Sequence, residues 1–159
     1  MPLVSKDFNF NGKHAMMVEE LQKSGFFEYL WQIFVSAPLL GFIYKRKAEV
    51  DSGDKKTIFL GQLTPRQELI YFIYKLILLA DKNHAGTTEE RIKKAFSTID
   101  TDAAEPDEKL FYSYLLGGVE VLYEKLVEKS SEPIKNLESF IEEITISDNS
   151  LTDELGIHI

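Results

Sequence analysis

Carboxylates and histidines are the first side chains to weigh, because this chain has few other routes to covalent or metal chemistry. Its 159 residues include no cysteine. That removes disulfides, thiolate nucleophiles, Cys-based zinc sites and iron–sulfur clusters together, and it fits a reducing, cytoplasmic setting. The three histidines are His14, His84 and His158. None stands in a His-x-x-x-His or His-Glu-x-x-His arrangement, so the helical zinc signature is missing. His14 and His84 fall at the edges of expected helices, where the pattern places them on the surface, and His158 falls in a tail. Asp100, Asp102, Glu105, Asp107 and Glu108 form a run of carboxylates. A calcium loop needs a glycine at its sharp turn, whereas Pro106 interrupts this run and no glycine does. The run therefore reads as helix-capping residues in a solvated loop. Phosphate-binding glycine loops and a Gly-x-Ser-x-Gly nucleophile turn are also missing. The sequence predicts no catalytic residues, no metal ligands and no cofactor. An enzyme built on Asp100 to Glu108 is the weakest functional reading.

Two other features could serve recognition. Lys45, Arg46 and Lys47 follow Phe42 and Tyr44, and Lys55 and Lys56 come soon after. Cations interleaved with aromatics can grip phosphates or stack on bases. The simpler reading is a helix C-terminus carrying cations that suit its dipole. The second feature is Gly117-Gly118 inside an apolar helical run. Each glycine costs about 1 kcal/mol relative to alanine in a helix. A close helix–helix approach, or the docking of a partner's element in the same gap, should offset that cost.

The elements that must position these residues are mostly helices. The first dozen residues read as an extended arm. A short helix follows from about His14 to Lys23 and stops at Ser24-Gly25. Phe27, Leu30, Trp31 and Phe34 have helical spacing, and Pro38 is expected to end or kink their helix. Turn residues surround Asp51 to Asp54, and Thr57 to Leu60 reads as extended. Thr64-Pro65-Arg66-Gln67 has the form of a capping box. The helix it opens, through Ala80, is apolar almost all round and is expected at the centre of the fold. Its apolar stretch is too short for a bilayer, which takes about 20 residues. Thr87 or Thr88 should cap a helix to about Ser97. A long helix runs from about Asp107 to Lys129, broken at the glycine pair, and a last one spans about Glu132 to Ile144. The fold class is all-α: a compact bundle of about six helices, with room for one short β-hairpin near residues 47–60. Residues 1–146 form a single helical domain, and 147–159 a flexible acidic tail.

Charge is divided unevenly. The net is −8, yet residues 1–80 hold 10 Lys/Arg against 8 Asp/Glu, and residues 81–159 hold 8 against 18. An acidic total argues against a dedicated nucleic-acid binder, while the asymmetry can steer a partner by sign.

The segment Phe34-Val35-Ser36-Ala37-Pro38-Leu39-Leu40-Gly41-Phe42-Ile43-Tyr44-Lys45-Arg46, with Ile58-Phe59 after it, forms one motif. Tyr114-Leu115-Leu116-Gly117-Gly118-Val119-Glu120-Val121-Leu122 forms another. On these the chain resembles the small accessory proteins encoded beside bacterial DNA phosphorothioation (Dnd) systems and related antiphage loci. The resemblance implies a bacterial cytosolic protein working with DNA-modification or restriction machinery, and it brings no catalytic residue with it. The expected function is that of a non-catalytic interaction subunit, with a protein partner, indirect contact with nucleic acid and no membrane. The alternative is a direct nucleic-acid binder using Lys45, Arg46, Lys47, Lys55 and Lys56.

Overall fold

The computed structural model describes residues 3–155, with side chains through 145. At 67% helix and 6% strand the chain is a mostly-α bundle with one two-stranded antiparallel element. Strand β1 is Phe8–Asn11 and helix α1 is Lys13–Lys23. Helix α2 is Leu30–Ile43, strand β2 is Lys55–Ile58, and α3 is the single turn Leu60–Leu63. Helix α4 is Gln67–Ala80, α5 is Thr88–Ile92, α6 is Glu105–Tyr123 and α7 is Pro133–Leu155. Among the described residues no helix is long and apolar enough to cross a membrane.

The bundle is organised around α6 and not, as its composition suggests, around α4. Helix α6 buries nearly all of Leu110 to Leu122 and packs most extensively on α2. Glycines permit this approach. A β-carbon on Gly41 would collide with the Tyr114 carbonyl oxygen, one on Gly117 with that of Arg46, and one on Gly118 with that of Ala37. Gly117-Gly118 therefore does not interrupt the helix. It is where two other stretches of backbone lie against it.

Helix α2 does not end at Pro38 but continues past it to Ile43. Proline lacks the N–H that would bond the Phe34 carbonyl, a cost of about 3 kcal/mol in a helix interior. Burial of Ile33, Phe34, Ala37, Pro38, Leu40 and Phe42 along the helix outweighs it. Local preference loses here to tertiary packing.

The strand at Lys55–Ile58 starts two residues before the segment expected to be extended, Thr57 to Leu60, and overlaps it only at Thr57 and Ile58; its partner is the N-terminal arm. Phe8 pairs with Ile58 and Asn11 with Lys55, antiparallel. The Phe-Asn-Phe-Asn alternation turns one face of β1 inward. Phe10 and Ile58 are fully buried. Phe8 meets Phe34 edge-on at 5.1 Å and stacks on Tyr112 at 5.4 Å between ring centroids. The arm is tied down further where the Tyr112 hydroxyl donates to the Leu3 carbonyl at 2.8 Å.

Helix ends follow local chemistry in part. Gly25 takes a left-handed φ of 88° just past α1, and Thr87 caps α5 by accepting the Glu90 N–H at 3.1 Å. The Thr64 hydroxyl does not cap α4. It donates back to the Leu60 carbonyl at 2.9 Å, and a 3-10 turn, Thr64–Arg66, joins α3 to α4. Helix α7 extends beyond the expected stop near Ile144 to Leu155. The segment expected to be a loose tail contains no proline, and its first glycine is Gly156. His158 lies outside the described residues.

Candidate functional site

The basic turn at Lys45–Lys47 is the C-terminal cap of α2. Lys45 adopts a left-handed φ of 54°. Its N–H bonds the Phe42 carbonyl at 3.1 Å, and the Arg46 N–H bonds the Gly41 carbonyl at 2.8 Å. These are the two bonds of a Schellman motif. Arg46 is then committed to the end of α6 and the π-helical turn Glu124–Glu128 that follows it. Its guanidinium makes a two-pronged pair with Glu124, at 2.8 and 2.6 Å, and reaches Glu120 at 3.4 Å. Glu124 is held below, and Arg46 above, its ordinary pKa, each chiefly by the hydrogen bond to the other. The Lys47 ammonium lies 5.3 Å from the Tyr114 ring centroid, close enough for a cation–π contact. Lys55 and Lys56 stand on β2, Lys55 exposed and Lys56 half-buried. Of the five candidate cations, Arg46 is thus taken by two carboxylates and Lys47 lies beside an aromatic ring.

Both described histidines pair with a carboxylate of α6; His14 is buried, contrary to the surface placement expected for it, whereas His84 stays partly exposed. His14 is 1% exposed, and its Nε2 meets Glu120 Oε2 at 2.8 Å. Glu120 also receives Lys13 at 3.5 Å. Lys13, His14, Arg46, Glu120 and Glu124 thus form one ionic network joining α1, the α2 cap, α6 and the turn that follows α6. His84 Nε2 meets Asp107 Oδ1 at 2.6 Å, and Lys94 donates to the same oxygen at 3.0 Å. Asp107 is fully buried. Close by in sequence, Asp81 Oδ2 accepts the Tyr114 hydroxyl at 2.6 Å, and Asp81 Oδ1 accepts the backbone N–H of Asn83 and of His84 at 3.1 Å each. These bonds pin the 81–86 turn and the α5 region to α6. An imidazole whose carboxylate partner is shared with an ammonium is a structural tie first.

The carboxylate run is dispersed by the fold. Asp107 is internal, while Asp100, at a left-handed φ of 60°, accepts the Tyr71 hydroxyl at 2.7 Å. The burial of Tyr71 and this hydrogen bond push that phenol up to about 12. Among the described residues no group of three or more His, Asp or Glu side chains is arranged to hold a metal ion.

Two surface features have the shape of binding sites. One is a cavity of about 750 Å³ bounded by β1, the first turn of α1, the 48–51 segment and α6. The other is an apolar face. Helix α4 buries Ile70, Ile73, Tyr74, Ile77 and Leu78, but Phe72 is 62% exposed and Leu69 45%. Beside it runs the turn Lys93–Ser97, which is π-helical: the Thr98 N–H bonds the Lys93 carbonyl five residues back, at 3.0 Å. Its Phe96 is 55% exposed. Phe72, Leu76, Leu79, Phe96 and Ile99 line one broad groove of about 980 Å³. The apolar residues all round α4 were visible in the sequence, but a buried helix and a docking helix share that signature.

Comparison with known protein families, characterised proteins and solved structures finds no match to this chain.

Proposed function

We propose that the chain is a non-catalytic interaction subunit that docks a protein partner in the groove between α4 and the Lys93–Ser97 turn. The observation that carries this reading is the pair of exposed rings, Phe72 and Phe96, on one groove. Isolated apolar side chains on a surface need no explanation, but contiguous ones mark interaction sites. An apolar groove of this kind suits an amphipathic helix presented by the partner. Assignment to bacterial DNA-modification or antiphage machinery rests on the resemblance carried by 34–46 and 114–122. Much of both segments goes into packing α2 on α6. Nucleic-acid contact is indirect on this reading, because Arg46 already serves Glu120 and Glu124.

The test is affinity purification of the tagged chain from its native host, with and without nuclease, beside a Phe72→Asp/Phe96→Asp variant. Partners that survive nuclease and disappear with the variant support the reading. Partners lost to nuclease, and lost again on charge reversal of Lys45 and Lys47, would move it to direct nucleic-acid binding. A wild-type protein that comes alone would overturn it.

A further inference from the structure

We propose that a second copy of this chain covers the α4 face when no other partner does, with the two α4 helices antiparallel about a two-fold axis, an inference that rests on the docking role of the α4 groove.

The face has the spacing of a helix–helix seam. Leu69, Phe72, Leu76 and Leu79 follow one another at intervals of three, four and three residues. That is the a/d alternation of a coiled coil, in which one helix supplies both the knobs and the holes for a copy of itself. The seam lies outside the chain's own core. Phe72 is 62% exposed and Leu69 45%, while Leu76 and Leu79 are half-buried.

Charge sets the direction. With Leu69 and Leu76 at a and Phe72 and Leu79 at d, Glu68 and Lys75 occupy the two g positions, whose charges select partner and orientation. Glu68 is exposed and Lys75 half-buried, and neither has an ion-pair partner among the described residues. The Lys75 ammonium is directed to the groove, 5.3 Å from the ring centroid of Phe96. Antiparallel helices bring g against g, and parallel helices bring g against e. In an antiparallel pair with Leu69 beside the second copy's Phe72, Glu68 and the second copy's Lys75 fall within about 3 Å of each other along the axis, at about 1.5 Å of rise per residue. The two-fold axis repeats that pair, so all four charges are met by opposite ones. A parallel pair would set Glu68 and Lys75 against the e positions, Ile73 and Ala80, which this chain buries in its own core. The seam and its flanking charges are thus self-complementary in one orientation only.

Sedimentation equilibrium of the full chain tests this. The mass should rise from 18.2 kDa toward twice that value as protein is raised from about 1 μM to about 1 mM. Phe72→Asp should stay at 18.2 kDa throughout. Glu68→Lys and Lys75→Glu each set like charges against one another twice across the axis. Each alone should therefore self-associate at least about tenfold more weakly than wild type. Mixed in equal amounts, the two variants should pair with each other as tightly as wild type pairs with itself, which also shows that both are folded. A chain that stays monomeric, a dimer that survives Phe72→Asp, or a mixture no tighter than its components would each overturn the proposal. A monomeric chain whose host partners still depend on Phe72 and Phe96 would overturn the second copy alone and leave the groove as the docking site of another protein.

Discussion

Gly118 of α6 and Ala37 of α2 meet backbone to backbone, with the Ala37 carbonyl oxygen occupying the space a Gly118 β-carbon would need. The obstacle is main chain, which no rotamer change relieves. Two effects oppose each other in Gly118→Ala. Helix propensity favours alanine by about 1 kcal/mol, while overpacking a closed core typically costs about 1–3 kcal/mol and more where backbone must shift. Overpacking wins, and Gly118→Ala should lower stability by about 2 kcal/mol in urea unfolding. A variant as stable as wild type would mean that α2 and α6 do not approach this closely.

Asp107 is the carboxylate of the run that the fold encloses. It is fully buried, with His84 and Lys94 on one oxygen and, among the described residues, no hydrogen-bond partner for Oδ2. Truncating one member of a buried ionic group strands the rest, at about 3–5 kcal/mol. Lys94 and His84 reach solvent in part, which lets them recover some hydration. Asp107→Ala should therefore cost about 3 kcal/mol, at the lower end of that range. An exposed carboxylate of the same run, Asp102, should lose less than about 0.5 kcal/mol on substitution by alanine. Equal losses at the two positions would place Asp107 in solvent.

Lys45 offers a gain. Its left-handed φ closes the Schellman cap of α2, and a residue with a β-carbon pays roughly 1–2 kcal/mol for that conformation. Glycine adopts it freely but is more flexible when unfolded, which returns part of the benefit. Lys45→Gly should raise stability by about 0.5–1 kcal/mol, read as a higher urea midpoint at unchanged slope. A loss of stability would mean that the lysine side chain contributes more than its backbone costs.

These cases mark what sequence alone discloses. The stop at Ser24-Gly25, a cap at Thr87 or Thr88 and the close approach at Gly117-Gly118 were legible, because each is written in a few adjacent residues. Of the end or kink expected at Pro38, the end was local chemistry that burial overrode. The pairs His14–Glu120 and His84–Asp107 were not legible, since they join residues 106 and 23 positions apart. One signal did point to the first of them. Glu120 interrupts the apolar run Leu115 to Leu122, and a carboxylate among buried neighbours needs a partner. The open groove on α4 left no such mark.

Glu124 gives the α2–α6 pairing a pH signature. Its hydrogen bond to Arg46 holds it below the ordinary value of 4.5. A group depressed on folding contributes stability that is present above its ordinary pKa and lost as pH falls through its folded one. Both side chains are more than a third exposed, so screening keeps the contribution within about 1 kcal/mol. The difference in melting temperature between wild type and Glu124→Gln should be constant above about pH 5 and should close on further acidification. Added salt should shrink it. A gap that persists unchanged in acid would show that the substitution removes packing and not charge.

Phe72 and Phe34 are the same side chain in opposite settings, 62% and 1% exposed. Phe34→Ala should cost about 3–5 kcal/mol, the transfer and cavity penalty of a core ring. Phe72→Asp removes a ring that contributes little to the fold, so its stability should stay within about 0.5 kcal/mol of wild type. The same change places a charge on the groove shared with Phe96 and should reduce binding of a hydrophobic dye to the native protein. Unfolding in urea gives the first result and dye fluorescence at low denaturant the second. If Phe72→Asp proved as destabilising as Phe34→Ala, the ring would be covered within the folded chain, and the α4 groove could not be the docking site.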